Sequence, residues 1–129
     1  MTRLRIGFLA LAALGAVLVW ALPAGAHSSK AAKAGTAHIA TVTVTAGKPT
    51  EFHFTLSPKT VKDGTVIFKV TNKGALSHDF SISGRKTKLL SPGSSDTLRV
   101  LLRKKGNYAY LCTVTGHAAA GMKGVLKVT

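Results

Sequence analysis

The sequence predicts an all-β fold, a Greek-key β-sandwich or barrel of about seven or eight strands, from three observations. Short segments alternate apolar and polar residues with a period of two. They are rich in Val, Ile, Thr and Phe, and Gly, Pro, Asn and Ser separate them. No segment carries a convincing helical period. The 129 residues suffice for one domain with a core of its own and fall short of two, so a single site is expected.

Taken in order, residues 1–26 open with Arg3 and Arg5, run uncharged from Ile6 to Leu22 and close on Ala24, Gly25 and Ala26. Basic end, apolar middle and small residues at the cut make a secretory signal, with cleavage expected after Ala26. The apolar run approaches the length of a membrane span, so an uncleaved anchor is the alternative. Either way the domain is expected outside the cytoplasm: periplasmic, extracellular or on the outer face of the membrane. Residues 27–36 lack any period and read as a flexible lead. The folded domain is expected over 37–129.

Within it the strand candidates are 38–45, 50–56, 65–72, 79–83, 95–102, 107–112 and 123–129. Leu98, Val100 and Leu102 share one face while Thr97, Arg99 and Arg103 take the other; Phe52 and Phe54 oppose Glu51, His53 and Thr55. Each strand thus has one face suited to burial, which fits an antiparallel two-sheet sandwich.

The chain has 18 Lys and Arg against four Asp and Glu, a net charge of +14. Losing the signal removes two arginines and no acid, leaving +12. Such a field favours acidic partners or anionic surfaces. The basic residues are scattered, with no basic helix or aromatic stacking platform, so nucleic acid is not expected. Nothing in the pattern calls for an oligomer, and a monomer is expected.

Cys112 is the only cysteine, so no internal disulfide can form. A lone thiol in an oxidising compartment is expected either to be buried and inert or to hold a metal. Its neighbours favour metal. Cys112, His117 and Met122 form Cys-x4-His-x4-Met directly after a strand in which Tyr108, Tyr110 and Cys112 share parity. One loop can therefore deliver three ligands from a rigid support. His78, brought to a strand start by a Gly-containing loop, supplies a second imidazole. Two His and one Cys in a trigonal plane with a weak axial Met is the donor set that suits one copper ion. Singly, a Met reads as core packing and a His as a surface residue; it is the constellation that points to copper.

These residues resemble the cupredoxin family of small blue-copper proteins. The resemblance rests on Asn72-x-Gly74-x3-His78-x-Phe80, on Tyr108-x-Tyr110-x-Cys112, and on Gly116 and Gly121 before His117 and Met122, and it spans 37–129. The Cys-to-His interval exceeds that of plastocyanin and is similar to that of rusticyanin and auracyanin. The resemblance implies a type 1 copper held by His78, Cys112, His117 and Met122, backbone amides of Asp79 and Val114 aimed at the Cys112 sulfur, and electron exit through the His117 edge amid Ala118, Ala119 and Ala120. Many members carry Asn or Ser where this chain has Asp79, whose side chain is expected to meet Thr113 and tie the ligand loops. His53 and His38 are expected to be ordinary surface histidines. His27 would become an N-terminal chelating residue after cleavage, but no partners for such a site are identifiable.

The expected function is electron transfer to a redox partner with an acidic docking face. A copper chaperone or storage protein is the runner-up, disfavoured because Met122 is the only methionine besides Met1. A multicopper enzyme would need further His pairs and a binuclear centre a second Cys, so no enzyme is expected. A metal-free polyanion binder leaves the Cys, His and Met pattern unexplained.

Overall fold

The computed structural model describes residues 38–129. The expected signal, the lead and His27 lie outside them. Nine strands are formed among the described residues: β1 Ile39–Ala46, β2 Phe54–Ser57, β3 Thr60–Val61, β4 Gly64–Asn72, β5 Ser81–Ile82, β6 Arg85–Lys86, β7 Ser95–Leu102, β8 Gly106–Leu111 and β9 Lys123–Val128. They make two sheets, one ordered β2-β1-β4-β7 and the other β3-β9-β8-β5-β6. The all-β sandwich is as expected, with two-residue β3 and β6 too short to announce themselves by alternation. Among the described residues no helix is long and apolar enough to cross a membrane.

Pairing departs from the expected antiparallel pattern. β1 runs parallel to β4 over the full register from Ile39–Thr65 to Ala46–Asn72, and β3 runs parallel to β9. Alternation tells which residues face inward but is blind to strand direction, because parallel and antiparallel neighbours present the same parity. The crossing from β2 to β3 switches sheets, which lets β4 return beside β1.

The core follows the parity. Val42 and Val44 from β1, Val66, Phe68 and Val70 from β4, and Leu98, Val100 and Leu102 from β7 face Ile82, Tyr110, Leu126 and Val128 of the opposite sheet. Phe80, fully buried, sits at the aromatic centre: its ring lies 5.3 Å from Phe54 edge-on, 5.2 Å from Phe68 and 5.4 Å from Tyr110. Such contacts each contribute about 0.5–1.5 kcal/mol beyond area burial. Because Phe80 lies two residues past His78, the core anchors the chain where the first imidazole must be held.

Two expected strands are shorter than predicted. Residues 50–53 form a turn instead of the start of β2, because Gly47, at φ 75°, bends the chain and its amide closes onto the His53 carbonyl at 2.9 Å. This re-aims Glu51 and Phe52. The stretch before β5 is likewise irregular: His78 pairs with Leu90 through two backbone bonds of 3.0 and 2.8 Å, and only Ser81 and Ile82 join the sheet.

Candidate metal centre

Three segments meet at one end of the sandwich: the β1–β2 turn, the β4–β5 loop and the β8–β9 loop. The β4–β5 loop is held by Asn72, whose side-chain amide donates to the Leu76 and Leu90 carbonyls at 2.7 and 2.8 Å and whose carbonyl accepts the Gly74 amide at 2.9 Å. The wholly buried His78 ring is thereby placed beneath the loop.

The β8–β9 loop returns on itself. The Cys112 amide donates to the Met122 carbonyl and the Met122 amide to the His117 carbonyl, both at 3.0 Å. Gly116 at φ 85° and Gly121 at φ 114° supply the left-handed backbone that the reversal requires, which accounts for the glycine before each of these residues. Cys112 and Met122 are buried and His117 is half-buried.

The result is a convergence. The Nδ1 atoms of His78 and His117 lie 3.0 Å apart, the Cys112 sulfur lies 3.6 Å from His117 Nδ1, and the three donor atoms all fall within 4.8 Å of one another. Thiolate and imidazole donors around one ion, each about 2.0–2.3 Å from it, are separated by roughly 3–4 Å, so the set fits a single ion. The ring orientation fits too: His78 Nε2 stands 2.7 Å from Glu51 Oε1, so Nδ1 is the ring atom turned towards the other donors. A buried cysteine sulfur with two imidazole nitrogens is a donor set that suits copper, and the cluster of His78, Cys112 and His117 forms a type 1 copper site. Met122 contributes a wholly buried side chain on the same loop. His38 and His53 are exposed and stand apart from this cluster.

Charge is arranged around the donors. Asp79 Oδ1 accepts the Thr113 amide at 2.6 Å and Oδ2 accepts the Thr113 hydroxyl, so the two ligand loops are tied together; Lys86 Nζ stands 3.5 Å from the same carboxylate. Burial pushes the Asp79 carboxyl up, but the Thr113 hydroxyl and amide, Cys112 and Lys86 together hold it below its usual value. Burial raises the Cys112 thiol; the amides of Asp79 and Val114 pull it down, and the Asp79 carboxylate pushes it up again. Burial, then His78, lower His117.

Glu51 and Phe52 were invisible as site residues in the sequence. Parity placed Glu51 on the solvent face of a strand, whereas the turn brings its carboxylate onto the Ala75 and Leu76 amides and then His78, which together draw its pKa down to about 2. Phe52 packs edge-on against His117 with ring centroids 5.1 Å apart. The scarcity of acids, four in the chain, was the one available signal that Glu51 is placed for a purpose.

Comparison with known proteins agrees with the geometry. The family model of copper-binding proteins of the plastocyanin/azurin family matches residues 38–129. No curated protein matches the sequence. Solved structures share the fold: an auracyanin B at 22% identity, covering 70% of this chain and 88% of that one with a TM-score of 0.59; auracyanin A, described as a blue copper protein of Chloroflexus aurantiacus, at 17% identity, covering 71% and 100% with a TM-score of 0.56; and rusticyanin from Thiobacillus ferrooxidans at 22% identity, covering 73% and 79% with a TM-score of 0.58. With the match extending over the whole described domain and its donors gathered at one point, the chain belongs to the copper-binding plastocyanin/azurin family.

Proposed function

We propose that the protein is an exported, single-domain electron carrier that cycles one type 1 copper between Cu(I) and Cu(II), an ion that His78, Cys112, His117 and Met122 would hold. The observation that carries this is the buried convergence of two imidazole nitrogens and one thiol sulfur within 4.8 Å. Copper held there supplies one-electron chemistry; the chain supplies a support that resists rearrangement. Cys112 extends from the end of β8, His78 is pinned by Leu90 and Phe80, and the β8–β9 loop is cross-bonded through Met122. Asp79 bonded to Thr113 keeps the two ligand loops at a fixed separation. This rigidity keeps reorganisation small when the charge of the site changes.

Electrons would leave through His117, which is half-buried beside Phe52, with Ala119 and Ala120 exposed on the same loop and Leu76 exposed on the neighbouring one. A small apolar contact within a strongly basic surround suits brief docking to an acidic redox partner. We further propose that the chain is exported through residues 1–26, or held at the outer membrane face if that segment stays uncleaved, and that it acts as a monomer without catalytic residues.

Adding Cu(II) to the purified domain tests the reading. An intense thiolate-to-copper band near about 600 nm is expected, and Cys112→Ser should abolish it. A colourless protein that exchanges Cu(I) readily would overturn the electron-carrier reading in favour of a chaperone.

A further inference from the structure

Glu51 is joined to the site by contacts that the copper ligands alone do not require. Its Oε1 accepts from His78 Nε2 at 2.7 Å and from the Leu76 amide at 2.9 Å, and its Oε2 accepts from the Ala75 amide at 2.8 Å. All these partners are donors, so the group sits there as a carboxylate. Space has been kept for it: a Cβ on Gly74 would collide with the Glu51 carboxylate and stand 3.0 Å from His78 Nε2, and Gly47 allows the β1–β2 turn to press directly on the Gly74 backbone. The chain has only four acidic residues among 18 basic ones, yet Glu51 and Asp79 both lie against metal-ligand segments.

We propose that Glu51 is a positioning residue of the copper site, which sets His78 as the Nε2–H tautomer, fixes its ring plane and biases the site towards Cu(II) with a fixed negative charge. This rests on the reading of the site as a blue-copper centre. A metal-bound imidazole whose far N–H is given to a carboxylate is a stronger donor than one left to water. Here the pair bridges two segments 27 residues apart, so one contact sets both ligand orientation and loop position. Together with Asp79, bonded to the loop of Cys112, it places one carboxylate behind each of two ligands. Both oppose the gain of an electron, so the reduction potential is lower than the donor set alone would give.

The test uses the full domain with Glu51→Gln and Glu51→Ala. In the metal-free wild type, nitrogen-resolved NMR of His78 is expected to show the proton on Nε2 and slow to exchange; in Glu51→Ala that proton should exchange fast. In the copper-loaded Glu51→Gln variant, which keeps the acceptor oxygen and removes the charge, the visible band should persist. Its preference for Cu(II) over Cu(I) should fall by more than twofold, a potential rise of more than about 18 mV for one electron. A wild-type His78 protonated on Nδ1, or a Glu51→Gln potential within that margin or lower, overturns the proposal. A wild type that yields no blue site sinks the electron-carrier reading instead, while the NMR result still decides whether Glu51 sets the His78 tautomer.

Discussion

Removing the Asn72 side chain should cost the domain about 2–3 kcal/mol. Asn72 is wholly buried and makes three side-chain hydrogen bonds, two donated to the Leu76 and Leu90 carbonyls and one accepted from the Gly74 amide. At about 1 kcal/mol each, Asn72→Ala loses about 3 kcal/mol. Part is recovered, because the Leu90 carbonyl keeps its bond from the His78 amide and water reaches the exposed Leu76. Asn72→Asp keeps the shape but turns both donations into a carboxylate facing two carbonyls, so it should cost more than the alanine. Trp20, the only tryptophan, lies outside the domain, so unfolding of the metal-free protein in urea is followed by circular dichroism. With a slope of about 1.5 kcal/mol per M, the midpoint for Asn72→Ala should fall by about 1.3–2 M. The same variant should release copper faster, because the loop over His78 is no longer tied. A loss below about 1 kcal/mol, or an aspartate tolerated as well as alanine, would refute the reasoning that Asn72 holds the ligand loop by donation.

Three further outcomes are expected. Asp79→Asn removes a negative charge next to Cys112 and should raise the reduction potential by tens of millivolts, moderated because Lys86 already offsets part of that charge; voltammetry showing an unchanged or lower potential would contradict this. Phe80→Ala empties the aromatic centre and should cost about 3–5 kcal/mol in chemical denaturation; a loss under about 2 kcal/mol would mean the rings around it close the gap. Electron exchange with an acidic redox protein should slow as salt is added, since the chain carries a net +14, or +12 without residues 1–26; stopped-flow rates flat across ionic strength would remove the electrostatic account of docking.

Much of this was legible from residues alone, for identifiable reasons. Leu98, Val100 and Leu102 are buried while Thr97, Arg99 and Leu101 are exposed, because side-chain direction in a strand follows parity and parity is written in the chain. The motif Asn72, Gly74, His78, Phe80 now has a physical meaning for each member: one ties the loop, one leaves room for a carboxylate, one is a ligand, and one anchors the ligand in the core. Illegible were the parallel pairing of β1 with β4 and the turn at 50–53, since neither leaves a periodic trace.

The sequence by itself determined the two inward faces and the donor chemistry, because alternation and side-chain type are local properties. Tertiary structure alone decided that His78 and His117 face each other at 3.0 Å, and that Glu51 stands behind the first of them. Both depend on segments 27 to 39 positions apart closing over one another, a matter of how the sheets stack and the loops bend rather than of any spacing along the chain.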